Sequence, residues 1–434
     1  VSIPVVTVGQ SREDLVGGLE RLHGPVTVVR RCAELPELLA ACQSGLARAA
    51  VVAEGSEGLT ASLVDRLGAV GVAVVALTDS AEEAARLRKI GVASAVTGVE
   101  SAQLSDRIAE AVAQLTGAIR PTGLSAGSDT GAALVTKPVE PDPGTESSGS
   151  GKVVAVWGPA GSPGRTTIAV NIAGELAAEG QDVLLIDADT YGASVAAVLG
   201  LLDESAGLAQ ACRLADQGLL DADGLRKVAT RVATSSGTFR VLTGITRADR
   251  WTELRAAALS LVLERARQVA DVVVVDTGFC LEADEELSFD TMAPRRNAAT
   301  LRPLELADSV YAVGAADPVG VPRMVRGLAE LEAAVPQASP TVVMNKVRAS
   351  AVGRGPERQL RDAWERYGPA TGLSAFIPHD PAAADAALLA GSLLLEACPE
   401  SPLRIAIRAL VCASGQRKAK SSVFSSTPRG RAND

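Results

Sequence analysis

At 434 residues the chain has room for two or three domains. With 47% apolar and 21% charged residues it has the balance of an ordinary globular protein rather than a disordered or fibrous one. A net charge of −9 argues against a broad basic surface for duplex DNA.

No apolar run approaches the ~18 residues that a membrane span requires. The six cysteines have no C-x-x-C spacing, so they read as reduced, buried thiols rather than a disulfide frame or a metal site. No leader pattern precedes the first apolar run, and a cytoplasmic protein, peripheral to a membrane at most, is expected.

In chain order, residues 1–116 alternate short apolar runs (Ile3–Val8, Val26–Val29, Ala49–Ala53, Val72–Leu77, Ala93–Val96) with helical spacings such as Leu15/Leu19/Leu22 and Ile108/Val112/Leu115. Five such βα units predict a small doubly wound α/β domain, flavodoxin-like in strand order. Residues 117–151 carry Pro121, Pro138, Pro141, Pro143 and the run Ser147–Gly151, the composition of a flexible linker. From 152 to about 415, strand runs at 152–158, 182–187, 238–242, 271–276, 309–313, 340–345 and 373–377 alternate with helical patterns. That alternation predicts a mostly parallel, doubly wound sheet covered on both faces. Residues 416–434 hold Arg417, Lys418, Lys420, Arg429 and Arg431 with few apolar neighbours, and are expected to form a disordered basic tail.

The most informative stretch opens that second domain. Val153–Trp157 enters the loop Gly158-Pro159-Ala160-Gly161-Ser162-Pro163-Gly164-Arg165-Thr166-Thr167, which leads directly into a helical pattern. A strand, a Gly-rich loop and a helix N-terminus together cradle phosphates. The pattern G-x-x-x-x-G-K-[ST] is met only at Gly164 and Thr166, because Pro159 takes the first Gly position and Arg165 the Lys position. Two more buried-strand runs end in carboxylates: Val183–Ile186 in Asp187-Ala188-Asp189, and Val272–Val275 in Asp276. Carboxylates at the carboxyl ends of parallel strands face the crevice where α/β sheets bind ligands. Thr166 would then supply the hydroxyl for a Mg²⁺–nucleotide site, and Asp276 the carboxylate holding the metal's water shell.

On these motifs, residues 152–412 resemble the MinD/ParA superfamily of deviant P-loop ATPases. The family loop K-G-G-x-G-K-T-T reads Ala160-Gly161-Ser162-Pro163-Gly164-Arg165-Thr166-Thr167 here, and the family's D-x-D falls on Asp187 and Asp189. Leu306-Ala307-Asp308, Val342-Val343-Met344-Asn345 and Ile377-Pro378-His379-Asp380 match its later features. A receiver-like domain ahead of a degenerate ATPase domain is most similar to the CpaE/TadZ branch, including the actinobacterial septum-site-determining group.

The resemblance implies ATP or ADP with Mg²⁺ held by Gly161, Ser162, Gly164, Arg165, Thr166 and Thr167. It further implies metal waters facing Asp187 and Asp276, Asp189 activating water, and Asn345 on adenine. Asp189 could equally cap a helix or brace a loop, and Asn345 could serve a turn. A homodimer closed around the nucleotide is implied as well. Ala160 lacks the family's lysine that reaches the partner's phosphates, Arg165 is a planar fork in place of a point charge, and Pro159 and Pro163 each remove an N–H donor. These departures point to slow or absent turnover.

Compared with a working receiver, residues 1–116 lack the acidic cluster: the first strand ends Val8-Gly9-Gln10, the third Val52-Ala53-Glu54 and the fifth Val96-Thr97-Gly98. A pseudo-receiver that binds a protein partner is expected, without Mg²⁺ or phosphate chemistry. The expected role is a localisation factor for a pilus/secretion assembly or for septum placement, in contact with the membrane only weakly through partners or the basic tail. The competing classes are a partition ATPase acting on DNA, a nucleotide-independent scaffold, and a tyrosine kinase partner domain, whose usual Tyr-rich tail is absent from 416–434.

Overall fold

The computed structural model describes residues 2–9, 15–21, 24–118, 151–161, 163–201, 206–283 and 294–423. It divides into two compact units. The first comprises Val1–Ser148 with the short segment Arg213–Leu220, and the second Gly149–Cys212 with Asp221–Asp434. Residues 119–150 of the expected linker and 424–434 of the tail lie outside the described residues.

In the first unit, β1 (Ile3–Val8), β2 (Val26–Cys32), β3 (Ala49–Val52), β4 (Ala73–Leu77) and β5 (Ala93–Ala95) form one sheet in the order β2-β1-β3-β4-β5. All four pairings are parallel. Parallel strands need helical crossovers, so both faces are covered and the central strands are apolar throughout. Ala49–Val52 and Ala73–Leu77 are buried at every position. Val5, Val51, Val75, Leu104 and Ile108 build the core on one face.

The second unit holds β6 (Lys152–Trp157), β7 (Val183–Ala188), β8 (Thr230–Thr234), β9 (Gly237–Leu242), β10 (Val272–Thr277), β11 (Ser309–Ala315), β12 (Pro340–Val347) and β13 (Leu373–Pro378). Their order is β13-β12-β11-β6-β10-β7-β9-β8, parallel except for the edge pair β8/β9. Strand β8 is absent from the sequence expectation. Its five residues alternate half-buried and exposed, and it pairs as an antiparallel hairpin across Ser235-Ser236. An edge strand of this kind has no apolar run to give it away.

Period-2 alternation along the strands splits the core in two. Val156, Val274, Val313 and Val343 face one layer, and Ala155, Trp157, Ala312 and Val342 face the other. The first layer contains the helix Arg165–Ala178, buried over Ile168–Ala177 between the sheet and the helix Pro402–Val423. This sandwiching explains why its sequence, Ile168-Ala169-Val170-Asn171-Ile172-Ala173, is apolar nearly all round. The two polar exceptions are satisfied. Asn171 Nδ2 donates to Thr167 O at 2.8 Å and its Oδ1 accepts from Leu394 N at 2.9 Å. Glu175 Oε1 accepts from Arg404 Nε at 2.7 Å.

Helix Pro402–Val423 continues past Gly415, into residues expected to be an unfolded tail. Once its first turns are nucleated by packing at Leu403, Ile407, Leu410 and Val411, the good helix formers Gln416, Arg417, Lys418, Ala419 and Lys420 propagate it. Of the cysteines, Cys32, Cys42 and Cys212 are buried as expected, whereas Cys280 and Cys398 are half-buried and Cys412 is exposed. Among the described residues no helix is long and apolar enough to cross a membrane.

Candidate functional site

Strand register brings the site together. β10 lies between β6 and β7, with Asp276 beside Val156 on one side and Asp187 on the other. The loop that leaves β6 therefore passes over the carboxyl ends of the two strands that end in aspartate. It turns into its helix at Gly164, whose φ of +98° suits glycine alone. A cleft of about 670 Å³ opens there, lined among others by Gly161, Gly164, Arg165, Thr166, Thr167, Asp189 and Asn345. These expected site residues, distant in sequence, share one cavity. Ser162 lies outside the described residues.

Thr166 Oγ1 donates to Asp276 Oδ2 at 2.6 Å, and Ser194 Oγ donates to Thr166 Oγ1 at 3.4 Å. The second carboxylate oxygen, Asp276 Oδ1, is buried and has no hydrogen-bond partner. Asp187 is spent on backbone: Oδ2 accepts from Val195 N at 3.0 Å and Oδ1 from Asp189 N at 3.2 Å. Burial pushes the Asp187 carboxyl up to about 7 against those N–H bonds. Burial, reinforced by the neighbouring Asp187 charge, raises Asp276 well above the usual carboxylate range, opposed by the Thr166 hydroxyl. Two buried carboxyl groups side by side, one with an oxygen left over, make a place where a cation is favoured.

Among the described residues no cluster of three or more His, Cys, Asp or Glu has the geometry of a protein-only metal cage. The arrangement suits Mg²⁺ instead, which keeps most of its waters and takes one or two protein oxygens plus phosphate. The donor set of one hydroxyl and one carboxylate with an unsatisfied oxygen fits that demand.

Arg165 occupies the cleft floor. Its Nη2 pairs with Asp189 Oδ2 at 3.1 Å, with both side chains largely buried. Its Nη1 donates to Gly158 O at 3.2 Å and to Pro159 O at 3.5 Å. Asp189 Oδ1 in turn accepts from Tyr191 N at 2.9 Å and Gly192 N at 3.1 Å, so the carboxylate closes its own turn as well as holding the arginine. Asn345 Nδ2 donates to Pro163 O at 2.8 Å and its Oδ1 accepts from Lys346 N at 2.8 Å. In this state its amide clamps the loop.

Sequence reasoning missed an aromatic clasp. Tyr191 and Phe279 line the cleft, with ring centroids 4.9 Å apart. Arg296 lies 3.8 Å over the Tyr191 ring and donates to Thr190 O at 2.7 Å. Tyr191 OH donates to Asn297 Oδ1 at 2.8 Å. Of the acidic run Glu282–Glu286 that precedes Arg296 in the same loop, residues 284–286 lie outside the described residues. The available signal was rarity: with only 5 Phe, 3 Tyr and 3 Trp in the chain, an aromatic just beyond each strand-end aspartate stands out. Lys346 also lines the cleft, at a φ of +59° that is uncommon for a side-chain-bearing residue. His379 lines it too, at the far end of β13.

Residues 150–219 match the ParA family model, described as NUBPL iron-transfer P-loop NTPase. A ParA family ATPase from Chlorobium tepidum TLS superposes with a TM-score of 0.50 at 19% identity, covering 60% of this chain and 98% of that one. The cell division ATPase MinD of Pyrococcus furiosus gives a TM-score of 0.47 at 18% identity over 61% and 99% of the two chains. The septum site-determining protein MinD complexed with Mg-ADP, from Pyrococcus horikoshii OT3, gives 0.48 at 17% identity over 62% and 97%. No curated protein sequence matches the chain. The second unit thus has an α/β, mostly parallel P-loop NTPase-like fold.

Proposed function

We propose that the second unit binds Mg²⁺–ATP or Mg²⁺–ADP in this cleft and that the protein is a MinD/ParA-type localisation factor with slow or absent hydrolysis. One observation carries the reading: Thr166 donates to Asp276, whose other oxygen is buried and unpartnered, at the start of a buried helix headed by a Gly-rich loop. Thr166 and Asp276 are the groups that would hold the metal, directly and through its waters. When bound, Mg²⁺ neutralises phosphate charge and holds the phosphate chain in one geometry. The chain's own contribution is backbone N–H groups of the loop and the helix N-terminus, aimed at the phosphates, and the Arg165 guanidinium. Asp189, braced by the Tyr191 and Gly192 amides, is the residue in reach to orient a water.

Two features support slow chemistry. Arg165 replaces a compact ammonium with a planar fork already engaged by Asp189 and two carbonyls. Pro159 and Pro163 leave the loop short of donors. Closure of a homodimer around the nucleotide, and a place in the CpaE/TadZ branch serving septum placement or a pilus/secretion assembly, extend the same reading.

Residues 1–116, with the strand order β2-β1-β3-β4-β5, are assigned as a flavodoxin-like pseudo-receiver that recruits a protein partner. Where a working receiver needs its fifth-strand lysine, Thr97 N donates to Asp79 Oδ1 at 2.9 Å and Thr97 Oγ1 to Asp79 Oδ2. Asp79 is thus used to close a loop.

Calorimetric titration of Mg²⁺–ATP and Mg²⁺–ADP into the full chain tests the reading. Wild-type binding that weakens at least tenfold in Thr166→Ala when Mg²⁺ is present, and little when it is chelated, is the expected result. No binding at millimolar nucleotide would remove it.

A further inference from the structure

The loop after β6 is held by its carbonyl groups. Gly158 O and Pro159 O accept from Arg165, Pro163 O accepts from Asn345, and Ala160 O accepts from Arg323 Nη1 at 3.4 Å. In a trans peptide the carbonyl and the following N–H point in opposite directions, and the described chain contains no cis bond. A donor that fixes a carbonyl therefore aims the next amide hydrogen. Capping Pro163 O aims Gly164 N–H, and capping Ala160 O aims Gly161 N–H. Both glycines line the cleft. Their amides matter more than usual here, because Pro159 and Pro163 have none to offer.

Unlike Arg165, which follows the loop in sequence, Arg323 projects from the helix Gly320–Ala334, which packs on β11. Its guanidinium lies so close over Gly161 that a Cβ there would sit 2.4 Å from Nη1, at a φ of +114° that favours glycine in any case. Glycine and arginine fit one another, and a larger residue at 161 would displace the arginine. Arg323 is itself exposed, so core packing does not account for its place on the loop.

We propose that Arg323 is a positioning residue of the phosphate-binding loop, which turns the Gly161 amide toward the cleft by capping the Ala160 carbonyl. The proposal rests on the reading of the cleft as a nucleotide site. It predicts that a hydrogen-bond donor, rather than a positive charge, is what position 323 must supply.

The experiment is calorimetric titration of Mg²⁺–ATP into the full chain as wild type, Arg323→Ala, Arg323→Lys and Arg323→Gln, with thermal unfolding to confirm that each variant is folded. Loss of one carbonyl cap should weaken ATP about fivefold in Arg323→Ala. Both Arg323→Lys and Arg323→Gln should recover most of it, since each carries an N–H donor on a flexible stem. ATP affinity unchanged in Arg323→Ala overturns the proposal and leaves the nucleotide site standing. Recovery by Arg323→Lys alone overturns it in favour of a plain electrostatic contact. A wild type that binds no ATP removes the site reading and this inference with it.

Discussion

Arg165 and Asp189 hold one another at the floor of the cleft, largely out of solvent. A bound polyphosphate would compete with Asp189 for the same guanidinium, so the ion pair opposes nucleotide binding. Asp189→Asn tests this. Asparagine keeps an oxygen for the Tyr191 and Gly192 amides but drops the charge that restrains Arg165 and repels phosphate. A charge-assisted hydrogen bond contributes roughly 1.5–3 kcal/mol. Releasing part of it should tighten ATP on the order of tenfold in a direct titration, while any residual hydrolysis falls. Binding that is unchanged or weaker would mean that Asp189 does not restrain the arginine. Arg165 and Asp189 were both legible in the sequence as candidate site residues, one from the loop frame and one from the strand-end D-x-D. Their mutual engagement was not, because it depends on where the loop folds back after β6.

At the scale of elements, the helix Arg165–Ala178 is the part on which the site depends, since its first turn carries Thr166 and Thr167. It is fixed from behind by Glu175, whose side chain is nearly buried and paired with Arg404 at 2.7 Å. Glu175 Oε2 also accepts from Arg404 Nη2 at 3.3 Å, and this second bond makes the pair bidentate. Removing one partner of such a pair leaves the other charge poorly solvated, at a cost of about 3 kcal/mol. Glu175→Ala should therefore lower the denaturant midpoint markedly. The double change Glu175→Leu with Arg404→Met should recover much of the loss, because no lone charge remains. If the double variant proves no better than the single one, the pair adds stability beyond its geometry.

This lock was hidden in the sequence, as the partners stand on two helices more than two hundred positions apart. The stretch after Thr167 was legible as a helix, but its burial on most sides was not. The edge strand β8 and the extension of the last helix to Val423 were missed for the same reason: neither depends on apolar patterning. One rests on pairing to β9 and the other on propagation of a helix already nucleated.

At the scale of the whole molecule, the two units are assigned different chemistry on similar doubly wound plans. In the second unit the carboxyl end of the sheet gathers Asp187, Asp189, Asp276 and Thr166. In the first, Gly9 packs against the Glu54 backbone so closely that a Cβ would lie 2.6 Å from Glu54 N, and Asp79 is tied to Thr97. Incubation of the full chain with acetyl phosphate and Mg²⁺ should accordingly yield no acid-labile, base-labile acyl phosphate by mass spectrometry. A stoichiometric acyl phosphate on residues 1–116 would refute the pseudo-receiver assignment.

The sequence by itself determined what depends on local pattern. Apolar runs set the parallel strands, helical spacing set the crossovers between them, and the order strand–glycine loop–helix, with aspartates at two strand ends, marked the cleft. Each of these is a consequence of backbone geometry and burial acting over a few residues. Tertiary structure alone decided which groups meet: Arg296 on Tyr191, Arg323 on the Ala160 carbonyl, Asn345 on Pro163, and Arg404 on Glu175. Those contacts join residues brought side by side by strand order and register, and strand order arises from long-range packing that no window of sequence contains.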